Sequence, residues 1–286
     1  MLRTPNHTPP RSDLMPFGRR RLAGKRFIVT GASSGVGRAV AVELARRGAR
    51  VLATARRAER LQDLARSVGV PLVHVAGDIC DPAFRARLIA AAVTRLGGLD
   101  GVVAAAGGGA IGRFQDLSPD TFARIMDLDF TAPAELIRAA LPELVRGDDS
   151  VIVFVGSILG LHPLPLHGEY CAAKAALKSL AGTLRTELAT DGVGVLLVDL
   201  GPTQSEFWDA LVVGDRPPWS RGRRMPAEQA ARAIAAAIER RRAEIVPGWQ
   251  ARGYALAARF MPRLIDRMAA RHLSAAARGD APAPRP

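Results

Sequence analysis

Thr30-Gly31-Ala32-Ser33-Ser34-Gly35-Val36-Gly37 is the stretch whose reading decides the fold. It follows a short apolar run, Phe27–Thr30, and opens a helical pattern over 36–47. Gly31 permits a tight turn, Gly35 lets the backbone approach a pyrophosphate, and Gly37 allows close helix–strand packing. The free N–H groups and the positive dipole end of the helix favour a phosphate there. An ordinary strand-to-helix loop is the alternative. The strand before the glycines and the helix after them favour the phosphate cradle, with Ser33, Ser34 and Val36 contributing to it.

Outward from this loop the same alternation continues. Val51–Ala55, Leu72–Val75, Val102–Ala105, Val151–Val155, Val193–Val198 and Glu244–Val246 read as further strands. Helical patterns lie at 57–67, 82–95, 119–145, 169–190 and 227–241. Near-continuous apolar strands separated by helices predict a parallel sheet covered on both faces. The expected fold class is therefore α/β: a doubly wound, Rossmann-like parallel sheet of about seven strands with helices on both faces. No fixed-period repeat interrupts it.

Composition narrows the function classes. The chain has 286 residues, 48% hydrophobic and 23% charged, enough for one substantial core. Two cysteines, Cys80 and Cys171, form no disulfide framework and no metal-ligand spacing, so a reducing cytoplasm and no metal are expected. No signal peptide or transmembrane run is evident. The formal charge of +13 sits at the ends: residues 1–26 carry net +6, residues 221–286 net +9, and the rest is near −2. That distribution disfavours nucleic acid as a partner. The expected organisation is a basic, disordered extension over 1–22, one domain over 23–250, a basic amphipathic helix over 251–274 and a disordered tail over 275–286.

Ser157 follows the apolar strand Val151–Val155, and Tyr170-Cys171-Ala172-Ala173-Lys174 comes thirteen residues later. Helix positions four apart share a face, so Tyr170 and Lys174 point the same way. A free tyrosine titrates near ~10 and is a poor base at neutral pH. The Lys174 ammonium is expected to lower that value and make Tyr170 a useful acid/base.

Taken together, the Gly-x-x-x-Gly-x-Gly loop, Ser157 and the Tyr170/Lys174 pair resemble the short-chain dehydrogenase/reductase family over about residues 24–247. The resemblance implies that Tyr170 exchanges a proton with the carbonyl or alcohol oxygen and that Ser157 holds that oxygen. Lys174 would bind the nicotinamide ribose and tune Tyr170. The second strand ends Ala53-Thr54-Ala55-Arg56-Arg57, without the acid that would bind a ribose 2′-hydroxyl, so NADP(H) is favoured over NAD(H) through Arg56 and Arg57. Asp78 and Ile79 fall where the family contacts adenine. Ala105 and Gly107 end the fourth strand, and Gly201, Thr203 and Ser205 lie in the loop facing the nicotinamide, with a plain turn as the alternative there.

Three departures from the family pattern stand out. Ala104-Ala105-Ala106-Gly107 replaces Asn-Asn-Ala-Gly, which removes side-chain hydrogen bonds. Asp129 stands where the fourth catalytic residue, an Asn, is expected; an ionised Asp only accepts hydrogen bonds and could compete for the Lys174 charge. Leu200 replaces a proline. The resemblance implies an oxidoreductase acting on a carbonyl or alcohol substrate, assembled as a homodimer or homotetramer, and the aromatic and apolar content of residues 206–225 points to a small to medium apolar one. A non-catalytic nucleotide-binding or redox-sensing protein on the same fold is the rival, supported by Asp129 and the missing asparagines.

The remaining features say less. Cys171 reads as a small buried hydrophobe. His162 and His167 read as loop residues, solvated or touching substrate. Residues 206–225, with Trp208, Pro217, Pro218 and Trp219, fall where the family carries its mobile substrate lid. Arg259, Arg263, Arg267 and Arg271 recur every four residues beside Phe260, Met261, Leu264, Ile265 and Met268, a basic amphipathic helix broken or begun at Pro262. Packing on its own domain or a sister subunit is the first expectation for it, and peripheral membrane contact the second.

Overall fold

Val151–Ser157 (β5) is buried along its whole length, as a strand covered on both faces must be. It pairs in parallel with Gly101–Ala104 (β4) on one side and Gly194–Leu200 (β6) on the other, from Val151↔Gly194 to Ser157↔Leu200. With Arg26–Thr30 (β1), Arg50–Ala55 (β2), Leu72–Ala76 (β3) and Glu244–Ile245 (β7), these strands form one seven-stranded sheet in the order β3-β2-β1-β4-β5-β6-β7. Every ladder is parallel. The computed structural model describes residues 18–217, 222 and 224–277.

Helices cover both faces. Gly35–Arg46 (α1), Ala58–Ser67 (α2) and Ala227–Glu239 (α7) bury Val40, Leu44, Leu61, Leu64, Ile234 and Ile238 against one side. Pro82–Leu96 (α3), Ala132–Arg146 (α5) and Gly168–Glu187 (α6) bury Phe84, Leu88, Leu136, Leu144 and Leu177 against the other. The strand order reverses between β1 and β4, so the crevice for a ligand opens beyond their carboxyl ends.

Three expectations need correction. The pattern over 119–145 is not one α-helix: Pro119–Met126 (α4) and α5 are joined by a π-helical turn, Asp127–Thr131. Such turns occur most often at functional sites, and this one carries Asp129. The extension expected over 1–22 is tied down at its end. Leu22 is buried, and Arg20 donates to the Asp149 carbonyl and carboxylate, and to the carbonyls of Ser150 and Ile238. The amphipathic segment expected over 251–274, broken or begun at Pro262, spans 249–277 and runs as two helices, Trp249–Phe260 (α8) and Pro262–Ala277 (α9), parted at that proline, which cannot continue the ladder. Residues 1–17 and 278–286, along with Pro218 and Trp219, lie outside the described residues.

Candidate active site

The glycine loop meets its expected geometry. Gly31 has φ +66°, and a Cβ there would lie 2.9 Å from the Ala105 carbonyl and the Ala106 backbone. A Cβ on Gly37 would lie 2.4 Å from the Gly31 carbonyl oxygen, so helix and strand approach as closely as glycine allows. Helix α1 begins after Ser34 with no side-chain cap and no acid in its first turn, which leaves its N–H groups available to an anion.

An intramolecular anion already uses this corner. Arg57 donates to Ser33 Oγ at 3.0 Å and to Ser34 Oγ at 3.0 Å, and its other arm reaches the Glu206 carboxylate at 2.7 Å. Arg60 lies 3.5 Å from the same carboxylate. The Arg57 contact, then Arg60 and Ser34, hold the Glu206 carboxyl below its ordinary range despite some burial. Arg56 is exposed and has no partner among the described residues. The donor set therefore fits a phosphate at Arg57, Ser33 and Ser34, but not at Arg56 as it stands. Ser205 closes over the loop: a Cβ on Gly35 would come within 2.8 Å of Ser205 Cβ. Thr203 Oγ1 donates to the Gly201 carbonyl at 2.9 Å, the plain-turn arrangement. Asp78 accepts from the Cys80 N–H, and Ile79 is buried beside it in the turn after β3.

At the end of β4 the missing asparagines have a substitute. Thr30 Oγ1 accepts from the Ala105 and Ala106 N–H groups, each at 3.0 Å. Thr30→Val would leave both part-buried donors without this partner. It is expected to cost about 1–3 kcal/mol of stability, read as a lower urea midpoint at unchanged slope.

Ser157, Tyr170, Lys174 and Asp129 come together beside the crevice. Ser157 ends β5, and its Oγ accepts from the Leu159 N–H at 3.2 Å. Tyr170 and Lys174 occupy the first two turns of α6, with Lys174 Nζ 5.6 Å from the centre of the Tyr170 ring. Lys174 donates to the Val155 carbonyl at 3.3 Å and lies 2.9 Å from Asp129 Oδ1. Asp129 is fully buried, and its other oxygen accepts from the Gly108 N–H at 3.1 Å. Gly107 leaves room for the pair: a Cβ there would stand 2.6 Å from Asp129 Oδ1.

Burial of the site overturns one expectation. The Tyr170 phenol is pushed above its ordinary value, not below it. Burial is the main cause; Lys174 pulls down, Asp129 pushes back up, and the adjacent Ser157 hydroxyl pulls down. The Lys174 ammonium still pulls the phenol down, the Asp129 carboxylate offsets part of that pull, and burial outweighs it. Burial likewise raises the Asp129 carboxyl against the pull of Lys174, while Asp129 keeps Lys174 protonated despite burial. The contact to the ammonium and the Gly108 bond both favour an ionised Asp129.

Of the groups that close the site, the sequence marked Trp208 within the expected lid but not Phe207. Phe207 packs edge-on to Tyr170 at 5.4 Å and approaches Gly109, and Trp208 packs edge-on to Phe207 and to His167. His167 is buried at the start of α6, not solvated, and burial lowers its pKa. Glu206 was equally hidden, since no spacing rule marks a lone acid in a loop. An open depression of about 430 Å³ lined by Lys25, Arg26 and Arg50 lies at the amino ends of β1 and β2, the opposite edge from these residues.

Residues 25–214 match the family model described as short chain dehydrogenase. An uncharacterized oxidoreductase of Myxococcus xanthus is 38% identical over 183 residues, covering 63% of this chain and 72% of its own. A human hydroxysteroid 11-beta-dehydrogenase 1-like protein is 35% identical over 185 residues, covering 63% of this chain and 58% of that protein. Among solved structures, a short-chain dehydrogenase from Streptomyces avermitilis superposes with a TM-score of 0.75 at 27% identity, covering 89% of this chain and 97% of that one.

Proposed function

The chain belongs to the short-chain dehydrogenase family, and on that premise we propose that it reduces an apolar carbonyl compound with NADPH, Tyr170 supplying the proton. Members of this family are oxidoreductases that bind a nicotinamide dinucleotide. The bound cofactor supplies the hydride; the chain's own residues orient the reactants and move the proton. Ser157 holds the carbonyl oxygen, and Tyr170, protonated throughout the neutral range, donates to it. Lys174 would bind the nicotinamide ribose, and Asp129, 2.9 Å away, fixes the position and charge of Lys174. Gly31, Gly35, Val36 and Gly37 would cradle the pyrophosphate, Asp78 and Ile79 would flank the adenine, and Thr203 and Ser205 would face the carboxamide.

The observation that carries the reading is the convergence of Ser157, Tyr170 and Lys174 at the carboxyl end of the sheet, beside the glycine loop. The rival of a non-catalytic nucleotide binder loses weight because none of these three groups is displaced from the crevice. Phe207 and Trp208 beside Tyr170 support an apolar substrate, in keeping with a relative named for a hydroxysteroid. A homodimer or homotetramer and a cytoplasmic setting complete the proposal.

Preference for NADP(H) rests on Arg57, which bonds the Ser33 and Ser34 hydroxyls with one arm and already binds the Glu206 carboxylate with the other. Arg57→Ala is expected to weaken NADPH by about 10–100-fold, the worth of charge-assisted hydrogen bonds, and to leave NADH nearly unchanged. Titration calorimetry with both cofactors reads the difference; equal losses for the two would remove the specificity assignment. Glu206 competes for the same guanidinium, so Glu206→Gln should tighten NADPH by up to about fivefold, the value of a part-exposed pair.

A further inference from the structure

More than half of the large apolar side chains exposed among the described residues fall between 249 and 268. On α8, Trp249 is 76% exposed, Leu256 63% and Phe260 71%. Their spacings of seven and four residues put them on one side of the helix, with Gly253 between them and Arg252 and Arg259 along one edge. The run continues past the junction through Met261, Leu264 and Met268, and Arg263, Arg267 and Arg271 follow the same four-residue step. Those three arginines make no ion pair among the described residues.

The face that α9 turns inward is a different one: Ile265, Ala269 and Leu273, four residues apart, are half-buried. The two helices are also pinned to the domain. Tyr254 Oη donates to the His162 carbonyl at 3.0 Å, His162 Nε2 lies 2.9 Å from Asp266, and Ala251 packs on Gly201. The exposed stripe is thus held in place, with the self-packing expected of this segment already supplied by its other side.

We propose that α8 and α9 dock the protein on the surface of an anionic lipid bilayer, with Trp249, Leu256 and Phe260 entering the interface and the arginines meeting headgroup phosphates. Charge complementarity selects this occupant. Asp266 is the one acid between 249 and 274, and it already faces His162. A second copy seated on the same face would oppose arginines to arginines, whereas anionic headgroups neutralise them. Among the described residues no helix is long and apolar enough to cross a membrane, so the contact is interfacial. Helix α8 touches the Ile158–Gly160 turn and Gly201, next to Ser157, so docking holds the crevice near the lipid. The proposal does not depend on the reductase reading.

Co-sedimentation of the full chain with vesicles tests it. Vesicles of phosphatidylcholine with about one-third phosphatidylglycerol should pellet the protein, and pure phosphatidylcholine should leave it in the supernatant. An arginine near an anionic surface is worth about fivefold in partitioning, so R263Q/R267Q/R271Q should lose about 100-fold. W249Q/L256Q/F260Q changes only exposed positions and should abolish pelleting with NADPH affinity intact. Protein that stays in the supernatant with both vesicles, or pellets equally with both, overturns the proposal. So does a triple apolar variant that dissociates an oligomer without altering vesicle binding, since the face would then be a subunit interface.

Discussion

Tyr170→Phe is expected to lower carbonyl turnover by about 10²–10⁴-fold, the usual worth of a positioned acid, while NADPH affinity stays nearly intact. The substitution removes one oxygen from a site whose other partners stand without it. Ser157 keeps its bond from Leu159, and Lys174 keeps Asp129 and the Val155 carbonyl. The ring itself still packs on Phe207, so the lid has no reason to open. The loss should therefore fall on turnover, and KM should move little. A full-activity variant would mean that another group donates the proton.

Asp129→Asn should act in the direction opposite to a simple loss. The buried carboxylate 2.9 Å from Lys174 pushes the Tyr170 phenol up. Asparagine keeps an acceptor for Lys174 and removes the charge. The ammonium then acts on the phenol unopposed, and the phenol pKa falls. The sign for activity follows from which form each direction needs. Reduction needs the protonated phenol, so in the wild type it should hold through neutral pH and decline only above the raised pKa. Oxidation needs the phenolate and should climb with pH. In Asp129→Asn the alkaline decline of reduction moves to lower pH, and oxidation at neutral pH rises.

The chain has only two tyrosines, so the shift is directly observable. In a Tyr254→Phe background, the tyrosinate absorbance step reports Tyr170 alone, without cofactor. The step is expected at lower pH in Asp129→Asn than in the wild type, because the carboxylate that opposes Lys174 is gone. No displacement would mean that Asp129 is already neutral in the folded protein. Stability carries the same sign: with its folded pKa raised, Tyr170 contributes stability present below the unfolded value and lost as pH rises through the folded one.

What the sequence made legible, and what it hid, divides along physical lines. All seven strands were readable because a sheet buried on both faces demands unbroken apolar runs, as in Val151–Val155. The Tyr170/Lys174 pairing was readable because helix geometry fixes neighbours four apart. The π turn at Asp127–Thr131 was not, since the apolar period runs through 119–145 without a break and the widened turn depends on tertiary packing. Asp129 was readable as a residue facing Lys174, but neither the 2.9 Å contact nor its effect on the phenol follows from position. Thr30 stood inside the first stretch quoted, yet its role depends on the register of β1 against β4. Glu206 and Phe207 reach the site from a long irregular segment, where periodicity carries no information. Arg20 looked like part of a basic tail, and only its four bonds to Asp149, Ser150 and Ile238 reveal an anchor.

The most direct test is the stoichiometry of NADPH consumed against alcohol formed over a panel of apolar ketones and aldehydes, at neutral pH. One member at least should give one mole of carbinol per mole of NADPH oxidised, with a proton taken from solvent through Tyr170, and Tyr170→Phe should form none above background. NADPH that binds but is consumed with no member of the panel, or carbinol formed equally by the variant, would contradict the assignment.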